Sequence, residues 1–90
     1  MGRRKKEKIH FKDKNHMDNC ILTVLKNLRK NAGFTQEELA HLLGRHSAIV
    51  GKIEGKFFVP SLDIIRLYGI VFGLTTSEIL AEAEKLSYVQ

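Results

Sequence analysis

Between Thr35 and Glu54 the chain has few options other than two short helices joined by a tight turn. Thr35-Gln36-Glu37-Glu38 has the form of a capping box, in which the threonine hydroxyl accepts from the Glu38 amide and the Glu38 carboxylate reaches back. Leu39, Ala40 and Leu43 then recur at helical spacing, and Ala40 is small where two helices must approach closely. Gly44 permits the turn, because a Cβ there would oppose a positive φ. A second helix is predicted from Ser47 to Glu54, with Val50 and Ile53 inward and Ser47, Ala48, Gly51 and Lys52 on the other face. The pattern is a helix-turn-helix.

The flanking segments supply the rest of the core. A first helix is predicted to begin at Asp18 or Asn19, either of which can serve as N-cap, and to run to about Asn31. Ile21, Leu25 and Leu28 form its stripe and Cys20 and Val24 widen it; Gly33 ends the helix. After a loop from Gly55 to Pro60, Ser61 caps a fourth helix whose inner stripe is predicted as Leu62, Ile65, Gly69 and Phe72, with Gly69 at a close helix crossing. Gly73 closes it, and Thr75-Thr76-Ser77-Glu78 opens a fifth helix through Ile79, Leu80, Ala83 and Leu86. The expected fold class is therefore all-α with five short helices, over residues 19–86. Residues 1–18 are expected to be a flexible basic arm, which either adds DNA contacts or is simply solvated, and residues 87–90 a short tail.

Composition narrows the function. Ninety residues with 43% apolar side chains suit one small core. No apolar run approaches the roughly 20 residues of a membrane span and no apolar stretch follows the basic start, so no membrane partner and a cytoplasmic location are expected. Cys20 is the single cysteine, which rules out an internal disulfide and suits a small packed hydrophobe. His10, His16, His41 and His46 lack the companions of a metal site, so neither metal nor cofactor is expected. No nucleophile, base and acid stand at a catalytic spacing, and an enzyme is not expected. Residues 1–19 carry seven cationic and three acidic side chains, residues 20–56 six and three, and the remainder two and four. Positive charge thus sits in the arm and the motif half, which suits a polyanion-facing surface and equally a merely soluble basic one.

Leu28-Arg29, Thr35-Gln36-Glu37-Glu38-Leu39-Ala40, Leu43-Gly44, Val50, Ile53-Glu54 and Pro60-Ser61-Leu62 together resemble the Xre family of helix-turn-helix regulators, with its lambda-repressor-like fold. The resemblance covers about residues 20–82. It implies a bacterial or phage-encoded, sequence-specific regulator of transcription that binds double-stranded DNA, as a homodimer at least on DNA. It further implies that His46, Ser47, Ala48, Gly51 and Lys52 face the bases of the major groove, that Gln36 and Lys56 meet phosphates, and that Arg29 and Glu54 form a partly buried ion pair.

Several positions depart from the family pattern. Arg45 replaces an apolar turn residue and is expected to project to a phosphate, the alternative being a tolerated surface change. His46 replaces a Ser or Thr cap, which weakens the start of the third helix. Gly51 inside a helix costs about 1 kcal/mol against Ala, which implies close approach of backbone to DNA or relaxed selection. Lys56 stands where the family places Gly, so the end of the third helix is expected to shift by a residue. Phe57, Phe58 and Val59 either fold into the core or form a dimer surface. The competing function is an antitoxin-like or adaptor module that binds a protein partner through Phe57, Phe58 and the last helix, with DNA binding secondary.

Overall fold

The computed structural model describes residues 16–57 and 59–89; most of the expected arm, together with Phe58, lies outside the described residues. Its elements are α1 (His16–Ala32), α2 (Gln36–Leu43), α3 (Ile49–Glu54), α4 (Leu62–Phe72) and α5 (Thr76–Val89). Among the described residues there is no strand, and no single helix is long and apolar enough to cross a membrane.

Local chemistry sets most of the boundaries. The Thr35 hydroxyl accepts from the Glu38 N–H at 3.0 Å while the Glu38 carboxylate accepts from the Thr35 N–H at 2.9 Å, so two donors that the helix cannot satisfy are paired. Thr75 and Glu78 repeat the arrangement one residue before α5, at 3.0 and 2.8 Å. The Ser61 hydroxyl accepts from the Ile64 N–H at the start of α4. At the other ends, α1, α2 and α4 close on Gly33, Gly44 and Gly73, each with a positive φ. In α2 the Gly44 and Arg45 N–H groups return to the His41 and Ala40 carbonyls, a Schellman closure that ends the helix within one turn.

The core forms where α1 lies along α5 and is met from the other side by α3, with α4 behind α2 and against α5. Leu25, Leu39, Ala40, Val50, Ile53, Tyr68, Ile79 and Ala83 are fully buried there. Each of the larger aliphatic side chains contributes about 1.5 to 3 kcal/mol through burial. Phe72 lies between the Phe34 and Tyr68 rings, with centroids at 6.1 and 6.3 Å, and so joins the α1–α2 corner to α4.

Some expectations need correction. α1 already includes His16, ahead of the expected start at Asp18 or Asn19, and α5 packs near that end: the His16 ring comes within 3.5 Å of the Ser87 carbonyl. Being gripped from two sides, α1 buries a wider arc, with Cys20, Leu22, Val24 and Leu25 inside and Ile21 and Leu28 at the margin. α5 likewise continues to Val89, so the expected tail is helical as far as that residue. In α4, Leu62 is 66% exposed at the first turn, and the inward stripe is Ile64, Ile65, Tyr68 and Gly69 with Phe72 at its edge. Gly69 does mark a close approach, but to the turn that follows α4: a Cβ there would lie 2.2 Å from the Leu74 carbonyl oxygen.

Candidate functional site

The residues singled out by the sequence gather around α3. Glu54, at its last turn, is the hub. Arg29 of α1 donates to it through two nitrogens, Nε to Oε2 at 2.7 Å and Nη2 to Oε1 at 2.9 Å. This is the forked geometry in which a guanidinium matches a carboxylate best. The remaining Arg29 nitrogen, Nη1, donates to the Phe34 carbonyl at 2.8 Å, so the same side chain fixes the turn that leads into α2. From α2, Gln36 Nε2 donates to Glu54 Oε1 at 3.0 Å. One carboxylate therefore binds α1, the α1–α2 turn and the start of α2 to α3.

Burial and charge act against each other at this hub. The Arg29 and Glu54 side chains are only 13% and 4% exposed. Desolvation pushes the Glu54 carboxyl up, but hydrogen bonds from Arg29 and Gln36 and the positive charge of Arg29 outweigh it and leave the carboxyl below its ordinary value. The hydrogen bond to Glu54 holds the Arg29 guanidinium above its ordinary value, against desolvation. Tyr68 shares this environment: burial, reinforced by the Glu54 charge and opposed by that of Arg29, raises its hydroxyl well above the usual phenol range. That hydroxyl is buried and has no hydrogen-bond partner among the described residues.

The start of α3 lies two residues later than expected, at Ile49. Ala48 occupies the N-cap position with no side-chain hydrogen bond to the helix, and the His46 ring instead accepts the Ala48 N–H through Nδ1 at 3.1 Å. An accepting Nδ1 leaves the ring proton on Nε2. His46, Ser47 and Ala48 thus form an exposed turn ahead of α3, and Lys52 is exposed on the helix itself. Gly51 has a reason that the sequence did not reveal: the Gln36 amide lies against it, with Oε1 3.2 Å from where a Cβ would stand.

Arg45 is exposed and paired with Asp63 of α4, Nη2 to Oδ2 at 3.0 Å, and Asp63 also accepts from Arg66 at 3.2 Å. Such an exposed pair is worth at most about 1 kcal/mol, so Arg45 can exchange Asp63 for another anion at little cost. The end of α3 is not shifted. The helix stops at Glu54, Gly55 keeps a negative φ of −81°, and Lys56 takes the left-handed conformation at φ 63°. The Lys56 and Phe57 N–H groups return to the Ile53 and Lys52 carbonyls, each at 3.0 Å, so Lys56 fills the place that Gly44 fills in α2. Phe57 and Val59 do not join the core: they are 79% and 57% exposed, with the Phe57 ring folded back over Gly55. The expectation for Phe58 lies outside the described residues.

Among the described residues no cluster of three or more His, Cys, Asp or Glu side chains could hold a metal. An open cleft of about 510 Å³ on the outer side of α2, lined by Phe34, Glu37, Glu38, His41 and Leu42, includes none of the expected site residues. Compared with known proteins, the chain matches no family model, no curated protein and no solved structure.

Proposed function

We propose that the chain is a sequence-specific DNA-binding regulator of transcription, of the lambda-repressor-like helix-turn-helix type, that docks α3 and the turn before it into the major groove of duplex DNA. The observation that carries this reading is the Glu54 hub, which holds α2 and α3 in one pose through Arg29 and Gln36 while leaving the opposite side of α3 uncovered. A helix presented in this way fits the major groove, and residues at and before its start reach base edges. Lys52, His46, Ser47 and Ala48 form the reading face in this proposal, with Arg45 and Lys56 at the flanking phosphates and Gln36 contributing an amide from the start of α2.

The test is titration of genomic duplex fragments at several salt concentrations. Phosphate contacts by Arg45 and Lys56 give a log–log slope of about −2 per protomer, and a slope near zero refutes the reading. Lys52→Ala should reduce discrimination between sequences, whereas Arg45→Ala should weaken all duplexes alike.

A second reading draws on the exposed Phe57, Val59 and Leu62, which place a small apolar surface beside the α3–α4 loop. With Phe58 as its sequence neighbour, this surface suits a homodimer formed on DNA or a protein partner of an antitoxin-like or adaptor module. Sedimentation with and without duplex separates the two: self-association only on DNA supports the dimer.

A further inference from the structure

The resemblance assigns Gln36 to a phosphate, but its surroundings point to a different task. Gln36 belongs to α2, yet its amide lies on α3 at Gly51, the half-buried position beside exposed Lys52 that has no side chain. Its Oε1 stands 3.2 Å from where a Cβ of residue 51 would begin, so the amide takes the space of the missing side chain. Glu54 fixes which way round the amide lies: a carboxylate only accepts, so the nitrogen must face Oε1 of Glu54 at 3.0 Å. Glu54 is itself immobilised by two bonds from Arg29. One N–H of the Gln36 amide is committed in this way, and among the described residues no hydrogen bond engages its other N–H or its carbonyl oxygen.

We propose that Gln36 is a specificity-determining residue that reads a base pair from the middle of the α3 face in place of a residue 51 side chain. The inference rests on the DNA-binding reading above. A free N–H beside a free C=O is the donor–acceptor pair that matches N7 and N6 of adenine in the major groove. A phosphate, by contrast, accepts only and would use the donor alone. Glu54 and Arg29 act through Gln36 as positioning residues, since they hold the amide in one orientation before DNA arrives. The lean reading face, with small Ser47 and Ala48 and only Lys52 of any length, thereby gains a second long polar side chain from the preceding helix.

The experiment is selection of bound fragments from a randomised duplex library, followed by dissociation constants for the selected site and its single-base-pair variants. Wild-type protein should prefer adenine at one position by about tenfold. Gln36→Ala should flatten the preference at that position at an unchanged salt slope, its loss of affinity falling on the selected site about tenfold more than on random duplex. Gly51→Ala, whose new methyl displaces Oε1, should disturb the same position, and thermal melts of both variants establish that they fold. Uniform weakening of all sequences by Gln36→Ala overturns the inference in favour of a phosphate contact and leaves the DNA-binding reading intact. Absence of salt-dependent duplex binding by wild type overturns both.

Discussion

Lys56 offers a substitution whose effects on stability and on binding should run in opposite directions. It is the only non-glycine residue with a positive φ among the described residues, at 63°, and it closes α3 as Gly44 closes α2. A side chain in the left-handed region costs about 1 to 2 kcal/mol. Glycine removes that cost but gives the unfolded chain more freedom, worth about 0.5 to 1 kcal/mol in the other direction. The Lys56 side chain is exposed and makes no ion pair among the described residues, so no contact is lost. Lys56→Gly should therefore stabilise the protein by about 0.5 to 1 kcal/mol net, which in a domain of this size raises Tm by about 2 to 8 °C. Circular dichroism melts and urea unfolding at unchanged m would measure it. The same variant removes a cation proposed to meet phosphate, so its salt slope on duplex DNA should fall by about one. A Tm equal to or below that of wild type refutes the strain argument, whatever happens to DNA binding.

Four further outcomes follow from the packing and the hub. Arg29→Ala leaves the Glu54 carboxylate without its main partner at a site 4% exposed, and should cost about 3 to 5 kcal/mol by urea unfolding. Because the folded-state pKa of Glu54 is lowered, its contribution is fully present above the ordinary carboxylate value near 4.5 and is lost as pH falls through the folded value; Glu54→Gln should remove that part of the acid limb in a stability–pH profile. Tyr68 has the opposite sign, since its raised pKa gives stability below the usual phenol value of 10.0 that declines as pH rises above it, and Tyr68→Phe should flatten the alkaline limb. Gly69→Ala puts a methyl 2.2 Å from the Leu74 carbonyl oxygen, a backbone atom that cannot swing away, and should lower stability by about 1 to 3 kcal/mol or more in a thermal melt.

Much of this fold was legible because its helix ends are written in local chemistry. Thr35 with Glu38, Thr75 with Glu78, and Ser61 are starts that depend on residues three apart, and Gly33, Gly44 and Gly73 are stops that depend on one backbone angle. What depends on several elements at once was less visible. Leu62 fits the helical period of α4 as well as Ile64 does, and only the placement of the other helices decides that Ile64 is the buried one. The width of the α1 face, including Leu22, follows from its being packed on two sides. At the candidate site, Arg29 and Glu54 were singled out together by the resemblance, and their two hydrogen bonds are seen directly. The lodging of Gln36 over Gly51 joins residues 15 apart and has no periodic signature. The left-handed Lys56 did leave a trace, a lysine in the place of a family glycine, but that trace was equally compatible with a shifted helix end.

The most direct test of the account is a two-dimensional amide NMR titration of the protein with duplex DNA. If α3 and the turn before it dock in the major groove, the amides of Gln36 and of residues 45 through 52 should shift with Lys56, together with the Gln36 side-chain amide. Those in the middle of α1 and in α5 should stay in place. Shifts confined to Phe57, Val59 and Leu62 or to α5, with the Gln36 side chain unmoved, would contradict it.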